Sequence, residues 1–213
     1  MSEPLRSQSP HILFHVISRG NARQTIFRDE EDFYLYLGLL QRYKKKFGIQ
    51  IYHFVLMSNH VHMLLEPTRG NTLSRFMSGL NLTYTKRFNK KYDSVGHVWQ
   101  GRFRSIPIEA DDYYLRCARY IELNPVRAKM VEHPKDYPWS SYTQSTQPSL
   151  TSWIDTHPLL EDFNKRGAKK ELSPFQTFVE SELHHSKQDL SETFSRLPVY
   201  GSHHFRKQFS SQL

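Results

Sequence analysis

The stretch Ile51-Tyr52-His53-Phe54-Val55-Leu56-Met57, Ser58-Asn59, His60-Val61-His62-Met63-Leu64-Leu65 reads as strand, turn, strand. β-Branched and aromatic residues dominate both runs, and Ser58-Asn59 supplies the break between them. On extended backbone, residues i and i+2 face the same way. His60 and His62 therefore project from one face, about 6.6 Å apart at two strand steps. Val61, Met63 and Leu65 point to the opposite face, where an apolar core can take them. Two imidazoles on one strand face can chelate a single metal ion. Taken alone, a His-x-His is more often two satisfied histidines on a half-buried strand.

Sixty residues on, Ala110-Asp111-Asp112-Tyr113-Tyr114-Leu115-Arg116-Cys117-Ala118-Arg119-Tyr120-Ile121-Glu122-Leu123-Asn124-Pro125 predicts a helix. Asp111 or Asp112 caps its start and Pro125 marks its end. At 3.6 residues per turn, Tyr113, Cys117, Tyr120 and Asn124 share one face. Tyr114, Leu115, Ala118 and Ile121 form an adjoining apolar stripe suited to packing on a sheet. Tyr120 and Asn124 stand at i and i+4, so a phenol lies one turn from an amide oxygen, and that oxygen is a hard ligand for Mg²⁺ or Mn²⁺. The competing role for Asn124 is the N-cap of a short helix over residues 125–132.

These two segments, in this order, resemble the HUH single-tyrosine transposases of the IS200/IS605 type. The flanks narrow the resemblance to the REP-associated tyrosine transposases: Arg19-Gly20-Asn21, His97-Val98-Trp99-Gln100-Gly101-Arg102-Phe103 and Asn124-Pro125-Val126-Arg127-Ala128, over roughly residues 10–145. The resemblance implies a divalent metal, Mg²⁺ or Mn²⁺, held by His60, His62 and Asn124, with Tyr120 as the nucleophile. It implies a substrate of single-stranded DNA carrying an imperfect hairpin. Contacts to that DNA are expected from Arg19, Asn21, Arg23, Arg87, Trp99, Arg102, Arg104 and Arg127. One departure stands out: insertion-sequence members usually carry Gln where this chain has Asn124. Asn is one methylene shorter, which brings in a bridging water as an alternative to direct ligation.

The remaining chain supplies the frame. Residues 11–17 predict a first, central strand. Residues 30–47 predict a helix, with Phe33, Tyr36, Leu37, Leu40 and Tyr43 at helical spacing and Lys44-Lys45-Lys46 before a stop at Gly48. A second helix runs from Asn71 or Thr72 to about Lys91, with Leu73, Phe76, Met77, Leu80, Leu82 and Tyr84 on its apolar side. Residues 105–109 predict a fourth strand. The order β-α-β-β-α-β matches the ferredoxin-like split βαβ. The fold class is thus α+β, with a mostly antiparallel sheet of four to five strands and an added tyrosine-bearing helix. Trp99 among arginines suits base stacking or, equally, a core plug. Expected organisation is a flexible start over 1–10, a catalytic domain over 11–142, a linker over 143–152 and a C-terminal helical extension over 153–213.

Lys and Arg number 29 against 21 Asp and Glu, a formal +8, which favours a polyanionic partner. No apolar run approaches a membrane span and no signal peptide opens the chain. The single Cys117 excludes an internal disulfide and fits a reducing, cytoplasmic setting. A monomer is expected in preference to a dimer. Two other function classes fit the residues: a catalytically silent nucleic-acid-binding regulator on the same fold, and a zinc hydrolase. The second lacks a third His, Cys or carboxylate at a familiar spacing.

Overall fold

The computed structural model describes residues 11–70, 72–146, 153–166, 172–183 and 198–210. The expected flexible start over 1–10 and residues 147–152 of the expected linker lie outside them. The central element is a four-stranded sheet of β1 (Leu13–Arg19), β2 (Ile49–Met57), β3 (His60–Pro67) and β4 (Arg104–Ile108). Its order is β2-β3-β1-β4, and every ladder is antiparallel. Helices α1 (Glu30–Phe47) and α2 (Thr72–Lys91) make the two crossovers, as the split βαβ pattern requires.

Local chemistry sets the boundaries. The Asp29 side chain accepts from the Asp32 amide to cap α1, acids fill its first turn and lysines its last. Gly48 ends α1 in the left-handed region at φ 63°, where a Cβ would also stand 2.7 Å from the Thr68 hydroxyl oxygen. One residue thus turns the chain from helix into β2.

Alternation then divides the strands. One face sends Phe14, Val16, Ile51, Phe54, Leu56, Val61, Met63 and Leu65 into a core completed by α1 and α2. Val61, Met63 and Leu65 are fully buried, and each such side chain contributes about 1.5–3 kcal/mol. A slip of one residue would turn them outward and drive His60 and His62 into that core, so the register is strongly fixed. Leu82, expected on the apolar side of α2, is instead 54% exposed.

The other face carries Leu13, Val55, Met57, Leu64, Ile106 and Ile108 beneath α3 (Asp112–Glu122). Asp111 caps α3 by accepting from the Tyr113 amide. Its buried stripe is Tyr114, Cys117, Ala118 and Ile121. A β-bulge between Ile51 and His53 lets both Tyr52 and His53 face this side. Beyond α3, the helix expected over 125–132 is only the short α4 (Asn124–Arg127).

The described residues of the later chain pack against the sheet. α5 (Ser141–Thr146) is helical, so the expected linker begins inside a helix. Residues 137–141 lie along the outer side of β2: the Leu56 amide donates to the Trp139 carbonyl at 2.9 Å and the Tyr137 hydroxyl to the Leu56 carbonyl at 2.6 Å. Asp155 brackets Ile51 through both its amide and its carboxylate and pairs with Lys44 at 2.6 Å. Helices α6 (Pro158–Lys165) and α7 (Pro174–Glu180) cover the α3 side of the sheet, with Phe175 5.3 Å from the His53 ring. On the opposite edge Tyr200 pairs with β4, ahead of α8 (His203–Ser210). None of the described helices is long and apolar enough to cross a membrane.

Candidate active site

The strand and the helix singled out in the sequence meet. His60 and His62 point from β3 toward α3, with ring centroids 4.9 Å apart. The Tyr120 ring stands edge-on to His62 at 5.7 Å. All three line a cleft of about 710 Å³ together with Ile17, Arg19, Gln100, Gly101, Arg102, Arg104 and Asn124. The lining holds three arginines and no carboxylate, which suits an anionic ligand.

Each histidine has one ring nitrogen occupied. His60 Nδ1 lies 2.6 Å from Asn59 Oδ1. His62 Nδ1 lies 2.8 Å from Nε2 of His15, a fully buried residue of β1 stacked on the His62 ring. When both Nδ1 atoms carry the proton, both Nε2 atoms keep a lone pair for a ligand. Burial keeps the imidazoles neutral. Desolvation, aided by the Arg19 charge, lowers His60 to about 4. Desolvation and the neighbouring His15, His60 and Arg19 push His62 well down. Burial, with the Arg104 charge, takes His15 to about 3.

Asn124 is not an N-cap. Leu123 holds that position without a side-chain bond. The Asn124 amide nitrogen instead donates to the Tyr120 carbonyl at 2.9 Å. With its nitrogen committed, its oxygen is the group left for the cleft. Arg127 places its guanidinium 5.3 Å from the Tyr120 ring centroid, and its Nη1 has no hydrogen-bond partner among the described residues.

The residues expected at DNA divide. Arg19, Arg102 and Arg104 line the cleft and Arg127 abuts Tyr120. Asn21 and Arg23 are exposed on a 3₁₀ turn beyond the lining residues. Arg87 is exposed on α2, in the helix layer of the opposite face. Trp99 requires correction: the residue is 8% exposed, and its ring packs against Tyr36 and Tyr84 and donates from Nε1 to the Asn81 carbonyl. It plugs the core, and no base can stack on it there. Its neighbours Gln100 and Gly101 reach the cleft instead. Gly20 explains the tightness of the adjoining rim: a Cβ there would stand 2.4 Å from the Gln24 carbonyl oxygen.

The sequence reading missed His15, Asn59, Ile17, Gln100 and Gly101. A signal existed for His15, a histidine between Leu13 and Ile17 in an apolar strand. Its partner was invisible until β1 and β3 were known to pair, with Ile17 opposite His62 and Arg19 opposite His60.

A His-x-His strand under a tyrosine helix, on a split βαβ sheet, is the layout that the sequence resemblance implied. Residues 8–124, more than half of the chain, match the family model described as "Transposase IS200 like", and the chain belongs to that family. It is similar to a REP-associated tyrosine transposase of Haemophilus influenzae, 28% identical over 106 residues. That match takes in 45% of this chain and 60% of the relative's length. Its fold is similar to that of a REP-associated tyrosine transposase solved bound to a REP hairpin, with a TM-score of 0.55 at 20% identity, over 75% of this chain and 93% of that one.

Proposed function

We propose that this transposase-family chain is a metal-dependent single-stranded DNA endonuclease and strand transferase acting on REP-like hairpin DNA through a 5′-phosphotyrosine bond. The observation that carries the proposal is the convergence of Tyr120, the Asn124 oxygen and two neutral imidazoles with open Nε2 atoms in one arginine-lined cleft. The donor set fits a divalent cation of the Mg²⁺ or Mn²⁺ type, with His60 and His62 giving nitrogen and Asn124 giving oxygen. Such an ion, when bound, neutralises the non-bridging oxygens of the scissile phosphate.

The protein's own residues do the rest. Asn59 and His15 hold the imidazoles in one tautomer and one orientation. Arg19, Arg102 and Arg104 hold the phosphodiester backbone, and the unpartnered Arg127 nitrogen suits a phosphate oxygen beside Tyr120. The Tyr120 oxygen, losing its proton, bonds to phosphorus. The bond to the 3′ oxygen breaks, and that oxygen takes up a proton. Because one phosphodiester replaces another, a second 3′-OH reverses the step elsewhere without ATP.

The test uses a strand labelled on either side of the cut, with Mn²⁺ and a denaturing gel. Wild-type protein retains the label 3′ of the cut, whereas Tyr120→Phe folds, binds hairpin and gives neither nick nor adduct. Tyr113→Phe and Tyr114→Phe still form the adduct. An adduct with Tyr120→Phe overturns the nucleophile. Hairpin binding with no wild-type adduct under any divalent metal marks the chain as a silent binder.

A further inference from the structure

On α3, between Tyr120 and Asn124 in sequence but facing away from the cleft, lies a carboxylate that the chemistry above does not use. Glu122 is 1% exposed. An unpaired buried carboxylate is costly, and an apolar residue would fill the same space more cheaply. Here three groups surround it. Glu122 Oε1 lies 2.7 Å from His53 Nδ1 and accepts from the Ser141 hydroxyl at 2.6 Å. Oε2 accepts from the Tyr142 amide at 2.9 Å. The network continues outward. His53 Nε2 lies 3.1 Å from the Tyr114 hydroxyl, and the Ser141 oxygen accepts from the Phe54 amide at 2.8 Å.

The partners come from three elements. His53 faces α3 because of the bulge in β2, Ser141 and Tyr142 open α5, and Tyr114 lies two turns back on α3 itself. Hydrogen bonds to an ion in a dry interior are directional and strong, whereas apolar packing alone lets a helix rotate or slide by fractions of an ångström. The last turn of α3 carries Tyr120 and leads directly into Asn124, the first residue of α4, and both must stand over the histidines.

We propose that Glu122 is a positioning residue: with His53 and Ser141 it fixes the rotation and height of the last turn of α3, and so the placement of Tyr120 and Asn124 in the cleft. The proposal rests on the function proposed above for its kinetic readout only. A misplacement of about 1 Å at a reacting group costs about a hundredfold in rate.

The experiment compares Glu122→Gln, Ser141→Ala and Tyr114→Phe with wild type, using full-length protein. Ser141→Ala and Tyr114→Phe each remove one hydroxyl far from the cleft, so a result survives even where Glu122→Gln fails to fold. A 3-fluorotyrosine placed at position 120 reports the ring's surroundings by its ¹⁹F resonance. Single-turnover adduct formation at saturating Mn²⁺, hairpin affinity without metal, and Tm are measured alongside. The expected result for Ser141→Ala is a shifted or broadened resonance and an adduct rate about tenfold lower, with hairpin affinity within about twofold of wild type. Glu122→Gln should lose about a hundredfold, and Tyr114→Phe, which leaves all three direct donors in place, less than Ser141→Ala. An unchanged resonance with an unchanged rate per folded molecule overturns the proposal and leaves Glu122 a stabilising residue only. A wild type without adduct, but a resonance that moves in the variants, defeats the proposed function and upholds the positioning role.

Discussion

The two faces of the sheet are built from the same strands and do opposite work. On β3 the odd residues Val61, Met63 and Leu65 are sealed against α1 and α2 without a polar atom on the side chain beyond one thioether. The even residues His60 and His62 open on the cleft under α3, and buried His15, His53 and Glu122 stand on that same side. A period of two residues lets one strand carry both duties, since neighbours along the regular ladder of β3 face opposite sides. The lesson is separability. Changes at His60 and His62 should damage chemistry and spare the fold, and changes at Val61, Met63 and Leu65 should do the reverse.

The sharpest break of that comparison is His62→Ala. Adduct formation should vanish while circular dichroism and hairpin binding persist; normal cleavage would show that the face does not hold the reaction. Its mirror is Met63→Ala, one residue away. That change should cost about 2–5 kcal/mol of stability, read by urea unfolding, with adduct formation per folded molecule near wild type. His15→Leu tests a residue of the polar face that touches no substrate. Loss of the acceptor for His62 Nδ1 should weaken Mn²⁺ binding, measured by titration without DNA, by about 10–100-fold.

The smallest effect separates the faces by pH. His60 titrates near 4 in the folded site and at an ordinary 6.5 in the unfolded chain. Between those values only the unfolded state takes up the proton. Stability is therefore full above about pH 6.5 and falls as pH drops through that window. Replacing His60 and His15 by Gln should flatten the slope of unfolding free energy between pH 6.5 and 4, whereas Met63→Ala should shift the curve without changing its slope.

Much of this division is legible in the chain. The alternation of β3 places the histidines and the core residues correctly, because one-residue spacing is all that it needs. The limits of α1 follow from Asp29, its acids and Gly48, all local signals. Tyr120 and Asn124 fall one turn apart by arithmetic, and the Asn124 amide does reach the Tyr120 carbonyl. What escaped depended on distant pairing. His15 acquires its meaning from β3, forty-seven residues away. The bulge at Tyr52-His53 breaks alternation where the sequence looks regular. Trp99 sits between arginines, and nothing local says which way an indole turns. The tail read only as a helical extension, because short helices carry little periodicity and their partners lie on β2, β4 and α3.

That tail closes the sheet. Residues 137–141 and 153–155 occupy the outer side of β2, and Tyr200 occupies that of β4. A bare strand edge is a template on which other chains polymerise. The family-matched stretch ending at Asn124 is therefore not a portable module. Cut there, it would carry both raw edges and an uncovered α3, and it would be lost to precipitation before its chemistry was ever assayed. Attempts to miniaturise the protein should trim loops and keep its last segments.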